Sequence, residues 1–225
     1  NPDVVRGEEL GRDGWRLPLA IVFGEDRELV ELDGNSPRVI GKAEKHARFV
    51  VEKELIAGGA AFVSGAPGAV RREEVRVARR ISRPGDVPAK ARWIHVDLSE
   101  QTLVAYEGDN PVYATVISSG KAGYEPPTGL FEIQQKYIST TMNSTDPIDG
   151  FYEVEEVPWS LFYHGGYALH GAYWHTDFGN VRSHGCTNVA PVDARWLYYW
   201  SDPEVPADWH AVRFQQDTTW VYFTS

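Results

Sequence analysis

At 225 residues, with 42% hydrophobic and 12% aromatic side chains, the chain has material for one large or two small packed domains. Its net charge of −10 is concentrated downstream: residues 91–225 carry 6 Lys and Arg against 17 Asp and Glu, a surface that repels phosphate backbones and argues against nucleic acid as a partner. No apolar run approaches the roughly 18 residues of a spanning helix, so no transmembrane segment is expected, and the single cysteine leaves no intramolecular disulfide to form.

The chain starts at Asn1 with neither a methionine nor a signal-peptide pattern, as a trimmed or mature form would. Short β-prone runs follow at Trp15–Phe23, Val30–Leu32, Arg48–Lys53, Ala60–Val63 and Val75–Ile81. Turn signals at Gly24-Glu25-Asp26, Asp33-Gly34-Asn35 and Gly65-Ala66-Pro67-Gly68 separate them. They predict a small β-rich N-terminal module over residues 1–88, of SH3-like barrel type. Gly41–Leu55 carries a competing helical reading, because Ala43, Ala47, Val50 and Val51 fall near one helix face. Ser82–Lys90, with two prolines and a glycine, reads as a linker to a second domain at residues 89–225.

In that second domain Ile94, Val96 and Leu98 alternate with His95 and Asp97, while Thr102–Tyr106 and Val112–Ser118 follow polar turns; together they predict an antiparallel meander. Leu130–Tyr137, Tyr167–His170, Trp209–Phe214 and Thr218–Phe223 supply further strands. The one helix is predicted from Pro191, a residue well tolerated at the first helical position, to Trp200. Ala190 takes the cap position and offers no side-chain acceptor.

Cys186 lies in Ser183-His184-Gly185-Cys186-Thr187-Asn188, and His170-Gly171 precedes it by a short loop. These are the components of a cysteine acyl transferase. An imidazole takes the thiol proton, the thiolate attacks a carbonyl carbon, and backbone N–H groups in a tight turn, here Gly185 and Cys186, stabilise the oxyanion. A lone cysteine is more often a small buried hydrophobe, so the thiol alone decides nothing. His184 shares a face with Cys186 in extended backbone and competes with His170 for the role of base. His170, His175, His184 and Cys186 match no paired-ligand zinc spacing, and no metal or cofactor is expected. Arg182 could grip a substrate carboxylate or be a solvated loop cation. The acidic run Asp146, Asp149, Glu153, Glu155 and Glu156 could attract an amine or be a solvated loop.

The stretch Ala168–Val189 resembles the active-site signature of the L,D-transpeptidase catalytic domain family. The likeness continues through Pro126-Pro127-Thr128-Gly129-Leu130-Phe131-Glu132-Ile133 and Pro191-Val192-Asp193-Ala194-Arg195-Trp196-Leu197, so it covers about residues 91–222. It implies a mainly β catalytic domain, a sandwich or barrel with one short helix after the cysteine. It also implies Cys186 as nucleophile and His170 as general base, with the Gly171 carbonyl fixing the imidazole tautomer. His184 then supports the loop and pocket, and Ser183 and Asn188 order the loop by hydrogen bonds. Tyr163, Tyr173 and Trp174, from the aromatic-rich run 151–178, are expected to wall the substrate cleft, with Met142 on the donor side.

The implied reaction is attack of Cys186 on the L-centred third residue of a peptidoglycan tetrapeptide stem, loss of D-alanine, and transfer of the acyl group to an amine. A second stem peptide, a lipoprotein lysine, a free D-amino acid or water are the alternative acceptors, and carbapenems are expected to acylate the same thiol. The setting would be extracytoplasmic, in a bacterium. An L,D-carboxypeptidase and a catalytically silent peptidoglycan-binding protein are the competing readings. No family resemblance extends over residues 1–88.

Overall fold

Turn chemistry and hydrophobic alternation fold this chain almost wholly into strands. The computed structural model describes residues 5–146, 150–214 and 216–225. In the N-terminal part the strands are β1 (Glu8–Glu9), β2 (Leu19–Val22), β3 (Arg27–Asp33), β4 (Ser36–Ala43), β5 (Arg48–Val50), β6 (Lys53–Ala57), β7 (Ala60–Gly65), β8 (Gly68–Arg71) and β9 (Val75–Ala78). Downstream come β10 (Arg92–Asp97), β11 (Thr102–Glu107), β12 (Asn110–Ser118), β13 (Gly129–Glu132), β14 (Gln135–Asp146), β15 (Gly150–His164), β16 (Tyr167–Gly171) and β17 (Thr187–Val189). Helix α1 (Pro191–Trp200), β18 (Ala211–Arg213) and β19 (Trp220–Thr224) follow. Among the described residues no helix is long and apolar enough to cross a membrane.

Strands β2–β9 build two small sheets, in the orders β5-β2-β9 and β4-β3-β8-β7-β6. Between them pack Ala20, Val22, Phe49, Val63, Val70, Val75 and Val77. The helical reading of Gly41–Leu55 is corrected here. Residues 36–43 pair with β3 along its whole length, and His46, at φ +64°, reverses the chain before β5. A helix over that stretch would forfeit the β3 ladder and gain little, since β4 is exposed at all but its last residue.

The larger sheet runs β13-β19-β10-β11-β12-β17-β16-β15-β14-β18, and the predicted meander is its β10-β11-β12 segment. One face of the meander, with Ile94, Val96, Leu103 and Ala105, joins Leu169, Val189 and the α1 residues Ala194 and Leu197 in the main core. The other face, with Trp93, Val104, Tyr106, Ala114 and Val116, packs against Val5, Leu10, Leu19, Ile21 and Ala78 from the N-terminal part. Both faces are therefore dry, which explains a departure from the predicted alternation: His95 is buried and its Nε2 meets Thr224 Oγ1 at 2.8 Å. A strand covered on both sides has no polar face to display.

Two links tie the N-terminal segment to the larger sheet. β1 pairs antiparallel with β12, filling the stretch of its edge that β17 leaves open. In the first turn of α1, buried Asp193 accepts hydrogen bonds from Gly7 N–H (2.9 Å), Tyr113 Oη–H (2.8 Å) and the Thr115 hydroxyl. Burial raises its carboxyl pKa even so. Ala190 makes no side-chain cap, as its sequence implies. At the other end of the helix, buried Lys136 donates to the carbonyls of Ser201 (2.8 Å) and Pro203 (3.1 Å), the cation a helix C-terminus favours.

Candidate active site

Strand register brings the predicted site together. β16 and β17 run parallel, with His170 opposite Asn188 and Leu169 opposite Thr187. Side chains alternate along a strand, so His170 and Asn188 share one face. Leu169 turns the other way, into the core. Cys186, His170 and Asn188 all line one cleft of about 510 Å³.

The turn carrying the thiol is fixed by close backbone contacts. Ser183 pairs with Gly120, and its hydroxyl donates to the Cys186 carbonyl. Gly185 sits at φ +128°, where a Cβ would come within 2.9 Å of Tyr167 Cε1, so this position takes glycine for both reasons. The Gly185 N–H, an oxyanion donor on sequence grounds, instead donates to Ser183 Oγ at 3.1 Å. The tight turn points it back into its own loop.

Hydrogen-bond chemistry fixes the His170 tautomer. Nδ1 lies 3.2 Å from the Gly171 carbonyl, which can only accept, so Nδ1 carries the hydrogen and Nε2 keeps its lone pair. Burial holds the imidazole pKa down to about 4, with the Gly171 carbonyl acting the other way. Burial also pushes the Cys186 thiol up, against a backbone hydrogen bond at Ala168, and the thiol donates to the Gly166 carbonyl at 3.6 Å. A neutral base and a protonated thiol thus share the cleft at neutral pH. Attack on a carbonyl would couple to proton transfer rather than start from a stored ion pair.

His184 is placed differently from His170. It is exposed at the cleft rim, with Nε2 3.2 Å from Lys121 Nζ and its ring edge-on to Tyr124. Arg182 also lines the cleft and faces Asp177 Oδ2 at 3.5 Å. Trp174, Met142 and Ser183 also line it. Tyr163 and Tyr173 do not. Tyr163 is buried in the main core against Phe131 and Phe223, and Tyr173 is exposed with its hydroxyl on the Glu155 carbonyl at 2.8 Å. Of the acidic run, Asp149 lies outside the described residues, and Glu156 accepts a hydrogen bond from Ser139 Oγ.

Sequence reasoning missed the wall built by the β14–β15 hairpin, which contributes Thr141, Asn143, Val154, Val157 and Phe162. It also missed Lys121, although a cation in a half of the chain with so few is a signal that could have found it. His175, seen only as a metal-ligand candidate, braces the cleft instead. The Asp177 N–H donates to its Nδ1 (3.1 Å), and its Nε2 lies 2.9 Å from Asn188 Nδ2.

Cys186 and His170 thus share one cleft on a curled β-sheet. The family model described as L,D-transpeptidase catalytic domain matches residues 91–213, and the chain belongs to that family. YciB of Bacillus subtilis (strain 168), a protein named as an L,D-transpeptidase, is 29% identical over 126 residues, which are 50% of this chain and 62% of YciB. Among solved structures, the Ldtfm–avibactam carbamoyl enzyme is 22% identical, covers 66% of this chain and 54% of its own, and superposes with a TM-score of 0.50, a likeness of fold. The catalytic domain of the E. faecium L,D-transpeptidase is 23% identical over 62% of this chain and 100% of its own, with a TM-score of 0.48. The chain thus spans less than two thirds of YciB and about half of the Ldtfm chain.

Proposed function

We propose that the chain is a peptidoglycan L,D-transpeptidase acting through a Cys186 thioester. One observation carries the reading: a neutral His170, its Nδ1–H committed to the Gly171 carbonyl and its Nε2 left with a lone pair, lines the same cleft as the protein's only thiol. His170 takes the Cys186 proton as sulfur attacks the carbonyl of the third stem residue. The C–N bond to the terminal D-alanine then breaks, and His170 returns the proton to the departing amine. In the second half the amine of an acceptor stem, or a lipoprotein lysine, attacks the thioester, gives its proton to His170, and the thiol is restored. Each step balances with the thiol and the imidazole alone. Such a substrate would set the reaction outside the cytoplasmic membrane.

The cleft's charge supports this substrate class. Arg182 lines the cleft and Lys121 Nζ lies 3.2 Å from His184 Nε2 at its rim, two cations in a half of the chain that has few. Stem peptides carry carboxylates at their ends, which such a rim would attract.

The test is mass spectrometry of disaccharide-tetrapeptide incubated with the wild-type protein and with Cys186→Ala. A cross-linked dimer that has lost D-alanine, formed only by wild type, is the expected result. Tripeptide without dimer would make the protein an L,D-carboxypeptidase, and turnover by Cys186→Ala would overturn the mechanism.

A further inference from the structure

The cleft loop at residues 175–182 is held from two sides, and one of them lies outside the catalytic domain. On the catalytic side, Gly179 N–H donates to the Ile117 carbonyl (2.8 Å), Ser118 Oγ to the Asp177 carbonyl (3.0 Å), and Arg182 N–H to the Ser119 carbonyl (2.8 Å). On the N-terminal side, Arg76 of β9 donates its Nε–H to the Gly179 carbonyl at 2.7 Å. Its guanidinium lies 3.9 Å above the Phe23 ring, and Phe23 in turn fills the space a side chain at residue 179 would need: a Cβ there would sit 2.6 Å from Phe23 Cβ. The peptide unit of Gly179 is therefore gripped by its N–H from one half of the chain and by its carbonyl from the other.

What this loop carries gives the grip its meaning. His175 Nε2 lies 2.9 Å from the side-chain amide of Asn188, and Arg182 lines the cleft directly. Cys186 and His170, by contrast, are set by the β16–β17 pairing and the Gly120–Ser183 bridge, with which Arg76 has no bond. We propose that Arg76 is a positioning residue of the cleft: from the N-terminal module it fixes the 175–182 loop and so places Arg182 and Asn188 for the acyl donor. The module is then a working part of the site. The inference rests on the reading of the cleft as the donor site.

The test compares Arg76→Ala and Arg76→Lys with the wild-type chain by two readouts. Amide hydrogen exchange of the 175–182 segment should quicken at least about tenfold in Arg76→Ala, with β16 and β17 unchanged, because a loop loses protection when one of its anchors goes. For tetrapeptide donor, KM should rise about tenfold with kcat within about twofold, since binding and not the thiol–imidazole pair has been disturbed. Arg76→Lys, which keeps a cationic donor for the carbonyl, should recover much of both losses. Should Arg76→Ala not hold its fold, Arg76→Gln takes its place with the same expectation. Wild-type loop exchange in the variant, or a fall in kcat with KM unchanged, would overturn the proposal. The exchange readout decides the loop's fixation even if wild type turns over no tetrapeptide, an outcome that would sink the transpeptidase reading alone.

Discussion

His170 and Asn188 stand directly opposite each other on the parallel strands β16 and β17, and the buried imidazole lines the same cleft as Cys186. His184, although only two residues from the cysteine, is at the rim beside Lys121 and Tyr124. Replacing His170 with Ala should therefore slow Cys186 acylation by a carbapenem by about 10²–10⁴-fold, the usual range for a lost general base. His184→Ala should cost less than about tenfold. Stopped-flow acylation rates check both, and the reverse order would transfer the base role to His184.

The protonation states make a second prediction. Burial raises the thiol pKa of Cys186 and holds His170 at about 4, so the resting pair is neutral. A small alkylating agent reads the thiolate fraction, and a raised pKa means less thiolate at any given pH. Iodoacetamide modification of Cys186 should climb about tenfold per pH unit from pH 6 to pH 9 with no plateau. A plateau beginning below pH 7 would reveal a preformed thiolate–imidazolium pair.

Asp193 joins the N-terminal segment to α1 and β12 through Gly7, Tyr113 and Thr115. Asp193→Ala would leave those donors buried without an acceptor. The expected loss is about 3 kcal/mol. For a chain of this size that corresponds to a fall in Tm of about 6–12 °C, read by circular dichroism. A fall of less than about 2 °C would show that burying the carboxylate cancels what its hydrogen bonds contribute.

Gly185→Ala sets a methyl group against Tyr167 in a left-handed backbone conformation. The local strain is on the order of 1–3 kcal/mol, small beside global stability but placed one residue from the thiol. Acylation should drop at least about a hundredfold while Tm changes by only a few degrees. Unchanged acylation would mean the turn has room to relax.

Much of this was legible in the sequence. The helix at Pro191–Trp200 and the meander appear where the periodicity places them, and the Cys186 motif and His170 meet in one cleft. What escaped has physical causes. The β14–β15 hairpin shifts register between Thr140 and Met142, and Glu156 and Trp159 take positive φ, so the two-residue alternation slips phase along it. With that phase lost, an aromatic run cannot say that Tyr163 points into the core while Phe162 lines the cleft. His95 looked exposed because nothing in a strand's own sequence shows that a second layer covers its outer face. The Arg76–Gly179 bond joins residues 103 positions apart, beyond the reach of any local pattern.

The position of β19 has a kinetic consequence. It lies between β13 and β10, antiparallel to the first and parallel to the second, with Trp220 beside Trp93. Until residues 220–224 dock, β10 and β13 each present an open edge, ready to pair with another chain. Closing the sheet joins ends far apart in sequence, a search whose entropy cost comes before its reward, which places the chain among domains that fold over about milliseconds to seconds. Crowded, half-folded copies would be most prone to aggregate at those two strands, so a Lys substitution on the edge of β10 or β13 would act on folding yield long before it touched the chemistry of Cys186.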